Sequence, residues 1–241
     1  MKQSGVFFIA LVSAVMFCIP IAAQPNSRGS ETISIDTFDT TDTGWKWNAQ
    51  ASRYITAGFP KVGFFDGIPN SLRQVSTSDV PPKVLGIQVK FDRKGDNWFE
   101  VYPEDPNAAA DAEKKNQEIP FKGIVTQLDF WVWGAGYDYI LEVLLRDSEG
   151  RVFVLPVGSL KYAGWRNHVV KIPASVRQQS AFRSGPETMA FVAFRIRTKP
   201  DAFVDDFTIY FDQFKYSTSI LANIYDGYEL RRQDFEQEAA Q

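Results

Sequence analysis

The sequence predicts an all-β protein, a two-sheet antiparallel β-sandwich of jelly-roll type with short helical excursions. Apolar and polar residues alternate with a period of two along most of the chain, which is typical of half-buried strands. Gly, Pro, Asn and Asp cluster at short intervals between these alternating segments, as tight turns require. No long segment carries the apolar spacing of an amphipathic helix, so two packed antiparallel sheets are the expected architecture.

Nine segments carry the strand pattern. In the second, Leu85, Ile87, Val89 and Phe91 share one face, which predicts an antiparallel strand with one buried side. In the last, Phe207 to Phe211 alternate regularly but Phe214 is out of phase with them, which predicts a β-bulge. The nine segments are residues 31–38, 84–91, 97–102, 124–132, 137–146, 151–157, 166–172, 189–198 and 206–216.

Turn residues predict how some of these strands connect. Asp-Arg-Lys-Gly-Asp at 92–96 predicts a turn that pairs the second segment with the third. Asp-Ser-Glu-Gly at 147–150 predicts a hairpin between the fifth and sixth segments. Residues 103–120 and 173–186 break the strand pattern and are expected to be surface excursions that hold the helical turns.

The first 23 residues are expected to be a cleavable signal peptide. Lys2 precedes an uncharged apolar run, residues 6–19, which is too short to span a membrane comfortably. The alternative is a lipoprotein acylated on Cys18, but Phe17 stands where lipidation requires a small residue. The chain is therefore expected to be exported, and a bacterial periplasm is the compartment that suits it.

Composition limits the classes of partner and of stabilising bond. Cys18 is the only cysteine, so the mature chain has no disulfide and must be held together by apolar burial. Removal of Lys2 with the signal peptide leaves 25 basic and 29 acidic residues, a net charge of −4. This charge disfavours a nucleic-acid partner, and no second apolar stretch predicts a membrane span.

The mature chain is expected to form one domain followed by a tail. Residues 24–218 contain neither an internal repeat nor a long polar linker, so they are interpreted as a single β-sandwich domain. Residues 219–241 are a charged C-terminal tail. This tail is either a solvated terminus or an arm that contacts a partner through residues such as Arg231 and Arg232.

Motifs for catalysis are weak, and we expect no enzyme, cofactor or catalytic residue. His168 is the only histidine and lies within a strand pattern, with no thiolate available to complete a zinc site. Gly158-Ser159-Leu160 lacks the Gly-x-Ser-x-Gly turn that exposes a nucleophilic serine. Gly134-Ala135-Gly136 is interpreted as a turn, since no third glycine follows as in a phosphate-binding loop.

Two groups of acidic residues leave alternatives open, although we assign no metal site. A glycosidase needs two carboxyl groups across one cleft, and the candidates are Asp129, Glu142 and Asp147. A calcium site needs six or more oxygen ligands, and the candidates to help form one are Asp205, Asp206 and Asp212.

The aromatic content is high, with six Trp, nine Tyr and twenty Phe residues. Four of them, Trp131, Trp133, Tyr137 and Tyr139, fall on two adjacent predicted strands, and the two tryptophans share a face with Asp129. Aromatic residues beside polar groups suit a protein interface or a sugar-binding platform, and they also suit the boundary of a core. We take these four residues as candidate partner contacts.

Several motifs together resemble the FlaA-type flagellar filament outer-layer (sheath) proteins of spirochaetes. They are LDFWVWG at 128–134, YDYILE at 137–142, LPVGSL at 155–160 with GWRN at 164–167, and FDQF at 211–214. The resemblance extends from about residue 33 to residue 216 and is strongest in the central block.

This resemblance implies a non-catalytic periplasmic protein that coats the flagellin core and shapes the filament for motility. Its implied partners are flagellin core subunits, other sheath proteins and further copies of itself on a helical lattice. The alternative from a different class is a periplasmic carbohydrate-binding module, which would use the same tryptophans to bind a glycan.

Overall fold

The computed structural model describes residues 30–39, 45–73, 81–104, 117–180 and 188–219. This part of the chain contains twelve strands and no helix. In chain order the strands are β1 (Ser30–Asp36), β2 (Lys46–Ala51), β3 (Lys61–Asp66), β4 (Lys83–Val89), β5 (Trp98–Glu104), β6 (Ile119–Pro120), β7 (Ile124–Ala135), β8 (Ile140–Arg146), β9 (Val152–Ser159), β10 (Ala163–Lys171), β11 (Ala190–Arg197) and β12 (Phe207–Ser219).

The strands form two six-stranded antiparallel sheets. Sheet A has the order β10-β7-β12-β4-β3, and β1 also pairs with β12. Sheet B has the order β2-β5-β11-β8-β9, and β6 also pairs with β11. The long strand β12 organises sheet A, because β7 pairs along one side of it while β4 and β1 share the other side. The predicted all-β antiparallel sandwich is confirmed.

Aromatic side chains fill the space between the two sheets. Phe194 of β11 stacks on Phe211 of β12, with 4.7 Å between ring centroids and an interplanar angle of 20°. Its ring also lies 4.9 Å from that of Phe130 and 5.0 Å from that of Phe214. Buried aromatic pairs of this kind contribute about 0.5–1.5 kcal/mol each beyond their area. Residues from both sheets thus join one continuous core without a disulfide.

Two local predictions are confirmed. The register of β12 against β7 shifts between Asp212 and Lys215, and Gln213 has a positive φ of 51°, so Phe214 enters the core out of phase as expected for a bulge. The predicted hairpin joins β8 to β9, with Arg146 opposite Val152. Its turn is closed by Asp147, whose Oδ1 accepts the backbone N–H groups of Glu149 and Arg151 at 2.9 and 2.8 Å.

The predicted pairing of the second and third segments is wrong. β4 belongs to sheet A and β5 to sheet B, so residues 92–96 carry the chain from one sheet to the other. Buried Asn97 fixes this crossover, because its side chain donates to the Arg93 carbonyl at 2.9 Å and its N–H donates to Thr198 Oγ1 at 3.0 Å. β5 pairs instead with β2 and β11.

Strands β2, β3 and β6 were not predicted, and the helical excursions are not found in the described parts of residues 103–120 and 173–186. Residues 105–116 and 181–187, the predicted signal peptide, and Arg231 and Arg232 of the tail lie outside the described residues. Within the residues that the structure describes, there is no helix of the length and apolar character needed to cross a membrane.

Candidate partner-contact surface

Strand β7 places Trp131 and Trp133 on the outer face of sheet A. The alternate positions, Phe130 and Val132, are fully buried in the core, whereas both tryptophans are half-buried. Because β7 lies between β10 and β12, its outward residues have neighbours on both sides. Trp133 is in register with Trp165 of β10 and with Tyr210 of β12. Three aromatic side chains therefore lie side by side across three strands.

The line of aromatic residues continues to the far edge of the sheet. Tyr210 packs edge-on against Trp133, with 5.5 Å between centroids and an angle of 72°, and against Phe65 of β3 at 5.8 Å and 84°. Phe65 is 51% exposed. Trp165, Trp133, Tyr210 and Phe65 are called the aromatic row below. It crosses five strands, which at about 4.8 Å per spacing gives a length of about 19 Å.

Polar groups border the aromatic row on the same outer face. Trp131 lies between Asn167 of β10 and Asp212 of β12. One step further, the carboxylate of Asp129 accepts a hydrogen bond from Asn167 Nδ2 at 2.8 Å and lies 3.8 Å from Lys215 Nζ. An aromatic centre beside a polar rim is the composition of many protein interfaces. The outer face of sheet A is thus a candidate partner-contact surface.

Tyr137 and Tyr139 do not join this surface. Tyr139 is fully buried against Phe207 at 4.5 Å, and its hydroxyl donates to the Phe203 carbonyl at 2.7 Å. Burial raises the pKa of the Tyr139 hydroxyl, so that group stays protonated. The half-buried Tyr137 donates to the Asp205 carbonyl at 2.7 Å. The structure therefore removes Tyr139 from any contact surface and places Tyr137 at one end of the sandwich.

That end of the sandwich carries a cleft of about 420 Å³. Asp138 in its wall accepts hydrogen bonds from Lys199 Nζ at 2.8 Å and from Ser159 Oγ at 3.2 Å. The Lys199 hydrogen bond is the main reason that the pKa of the Asp138 carboxyl lies below its ordinary value. Phe203, which is 72% exposed, forms the apolar side of the cleft. The cleft therefore contains both the carboxylate of Asp138, paired with Lys199, and the exposed aromatic ring of Phe203.

The acidic residues considered for hydrolysis are not brought to one cleft. Asp129 lies on the outer face of sheet A, whereas Glu142 lies on the outer face of sheet B, where it pairs with Arg197 at 2.8 Å. Asp147 is fully buried in the β8–β9 turn. No two of these three carboxyl groups therefore have the shared geometry that a glycosidase requires.

The remaining candidates are the single histidine and the three aspartates considered for a calcium site. His168 Nε2 hydrogen-bonds to the Tyr162 hydroxyl at 2.8 Å, and burial, followed by the Arg166 charge, lowers the pKa of His168. Asp205 and Asp206 are exposed, and Asp206 accepts from Gln88, whereas Asp212 is buried. Among the described residues, no three His, Cys, Asp or Glu side chains are grouped closely enough to hold a metal ion.

The fold and the aromatic row define a β-sandwich with an outer face suited to macromolecular contact. The chain belongs to the family of flagellar filament outer layer proteins, FlaA, whose family profile matches residues 27–226. A flagellar filament outer layer-like protein of Brachyspira hyodysenteriae is 25% identical over 142 residues. That alignment covers 59% of this chain and 60% of the relative, so the chain spans about three fifths of the relative's length.

Two solved structures show a similar arrangement of strands. A carbohydrate-binding module of the β-sandwich superfamily is 13% identical, with a TM-score of 0.44, over 76% of this chain and 61% of that one. The family 11 carbohydrate-binding module of Clostridium thermocellum, bound to a mixed-linked tetrasaccharide, is 10% identical with a TM-score of 0.41, over 78% and 95% respectively. At these values the similarity assigns no ligand to this chain.

Proposed function

We propose that this protein is a non-enzymatic structural subunit of the outer layer, or sheath, around the flagellin core of a periplasmic flagellar filament. The observation that carries the proposal is the family match over residues 27–226. The signal peptide predicted at residues 1–23 supports export to the periplasm. In this role the protein coats the filament and contributes to its shape and to motility.

The outer face of sheet A is the surface that we propose for contact within the filament. Trp131 and the aromatic row present rigid side chains that would lose little conformational entropy on docking. The Asp129–Asn167–Lys215 group would form the polar rim. Flagellin core subunits, other sheath proteins and further copies of this chain are the proposed partners. Repetition on a helical lattice would convert modest affinity per contact into strong attachment.

Other residues complete the proposed contacts. Tyr137 lines the cleft at the end of the sandwich, beside the exposed ring of Phe203, and would contact a subunit that packs end-on. Arg231 and Arg232 remain predicted partner contacts in the charged tail. The proposed contacts thus comprise the outer face of sheet A and two further regions, which are the cleft at the end of the sandwich and the charged tail.

The first test is co-purification of the protein with periplasmic flagella. Filaments are isolated from cells that carry either the unaltered gene or the double variant Trp133→Ala/Trp165→Ala, and are then washed with salt, immunoblotted and labelled for electron microscopy. The unaltered protein should stay on the filament, and the double variant should be lost at least tenfold. Recovery of the unaltered protein only in the soluble periplasm would overturn the proposal.

A matched variant separates loss of contact from loss of folding. Val154→Ala removes an exposed apolar side chain from edge strand β9 of sheet B, outside the proposed contact regions. This variant should remain on the filament. The thermal unfolding midpoint of the double variant, measured on purified protein, shows whether its loss from filaments follows from instability.

A carbohydrate-binding module is the second candidate function. The observation that favours it is the position of Trp131 beside Asn167, whose amide contacts Asp129, because a ring with adjacent polar groups suits a sugar. The steep angles among Trp133, Tyr210 and Phe65 argue against it, since these rings form no flat platform. Retardation in glycan-containing gels that is lost on Trp131→Ala would favour this function over the filament role.

A further inference from the structure

Asp212 is a buried acid with one oxygen that has no hydrogen-bond partner. It follows Phe211 at the bulge of β12 and is 2% exposed. Among the described residues, two buried side-chain polar atoms have no hydrogen-bond partner, and they are Asp212 Oδ1 and the hydroxyl of Ser148. A buried carboxylate oxygen without a donor is costly, and buried charges normally have a charged partner or a metal ion.

Two more carboxyl groups lie near Asp212. Asp36 ends β1, which pairs with β12, and Asp39 follows in the next turn. Burial, then the charges of Asp39 and Asp36, raise the pKa of Asp212 to about 8, although a hydrogen bond from the Gln213 backbone opposes the shift. Among the described residues, no lysine or arginine forms an ion pair with Asp212. Burial and the two neighbouring acids therefore both disfavour the charged form of Asp212 when no cation is bound.

The hydrogen bonds of the neighbouring acids show which oxygens face this region. Both oxygens of Asp36 are engaged: Oδ1 accepts the N–H of Phe38 at 2.7 Å and Oδ2 accepts Nε1 of Trp47 at 2.8 Å. Among the described residues, Asp39 is held by one hydrogen bond, in which its Oδ1 accepts the N–H of Lys83 at 3.2 Å. With only the described residues considered, Asp212 Oδ1 and the carboxylate of Asp39 are the oxygens of these three acids that remain available to a ligand.

We infer that Asp212 and Asp39 bind a calcium ion beside the β12 bulge. Calcium takes six to eight oxygen ligands in irregular geometry, whereas zinc favours His and Cys, which are absent from this region. Because no three acidic side chains of the described residues converge, backbone carbonyl oxygens and water would complete the coordination. The ion would tie the turn after β1 to β12, directly opposite Trp131.

Thermal unfolding of the protein purified from periplasm tests this site. After treatment with EDTA and its removal, 10 mM Ca²⁺ should raise the unfolding midpoint by about 5 °C, because a ligand that binds only the folded state stabilises it. Asp212→Asn and Asp39→Asn should each abolish this increase, whereas the exposed Asp96→Asn should retain it. Mg²⁺ at the same concentration should have a smaller effect.

Terbium luminescence tests the site without relying on stability, so it applies even if a variant unfolds easily. Tb³⁺ binds oxygen sites of the calcium type and emits when a nearby tryptophan is excited. Emission should appear, be displaced by Ca²⁺, and fall at least fivefold in Asp39→Asn and in Trp131→Phe. A midpoint unaffected by Ca²⁺, together with Asp212→Asn as stable as the unaltered protein, would overturn the site and identify Asp212 as a neutral buried acid.

Discussion

The ring of Phe65 covers Gly86 so closely that a Cβ atom on the glycine would lie 2.7 Å from two ring carbons of Phe65. The same atom would lie 2.8 Å from Cε1 of Tyr210. These separations are shorter than van der Waals contact, so only glycine allows the two rings to meet across β4. One half of the aromatic row therefore depends on a residue that has no side chain.

Gly86→Ala should displace Phe65 and Tyr210 and cost about 1–3 kcal/mol of unfolding free energy, the usual range for overpacking. Urea denaturation measures this loss. The double variant Gly86→Ala/Phe65→Ala should lose less than the sum of the two single variants, because removal of the ring relieves the clash. Additive losses would show that the close contact is not what constrains position 86. Loss of filament attachment in Gly86→Ala would indicate that the proposed contact surface also needs Phe65 and Tyr210 in their present positions.

Period-two alternation was sufficient to predict most strands of the core. It put both tryptophans on one face of their strand with Asp129, which is the outer face in the structure, and the phase break before Phe214 predicted the bulge. β2 was missed because Lys-Trp-Asn-Ala-Gln-Ala lacks β-branched residues, and β6 because it has two residues. The β4–β5 pairing was predicted wrongly because the turn-forming residues at 92–96 also suit a crossover between sheets. Asn97 fixes this crossover through a hydrogen bond to Thr198, which is far away in the sequence.

The aromatic row could be predicted only in part. Trp133 was identified, but Trp165, Tyr210 and Phe65 join it through strand register, which a single sequence does not reveal. The burial of Tyr139 had a usable signal, since it alternates in phase with the apolar residues of β8. The acids beside the β12 bulge come from opposite ends of the domain, so only the pairing of β1 with β12 brings them together.

Removal of the central core ring should have the largest effect of any single aromatic substitution. Phe194 is fully buried and contacts the rings of Phe130, Phe191, Phe211 and Phe214. Phe194→Ala should cost about 3–5 kcal/mol, through lost burial and the cavity that remains. Phe203→Ala, at an exposed ring, should cost less than about 0.5 kcal/mol. Equal losses on denaturant titration would contradict the assigned core.

Asp147 should make stability sensitive to strong acid. Burial opposes its ionisation, but hydrogen bonds from Arg151 and Glu149 outweigh burial and hold the pKa of Asp147 below its ordinary value. Its contribution is therefore present above about pH 4 and is lost as pH falls through the lower folded pKa. Asp147→Asn should cost about 2 kcal/mol at pH 7 and flatten the decline in unfolding midpoint between pH 4 and 2. An unchanged acid decline would contradict this role, and Asp96→Asn is the control.

His168 should affect stability in a different pH range. Its ring stacks on Phe130, and burial, then the Arg166 charge, lower its pKa from 6.5. The unfolded chain therefore binds a proton that the folded chain resists, so stability is complete above about pH 6.5 and falls as pH decreases towards the folded pKa. One proton limits the slope to about 1.4 kcal/mol per pH unit.

His168→Gln removes this titration and retains a polar group near the Tyr162 hydroxyl. Unfolding free energies of the two proteins, measured from pH 7.5 to 5, should converge as pH falls. Taking the difference between the proteins cancels the titration of every other group. A constant difference across this range would mean that His168 keeps its ordinary pKa and that the edge strand β10 admits water to the ring.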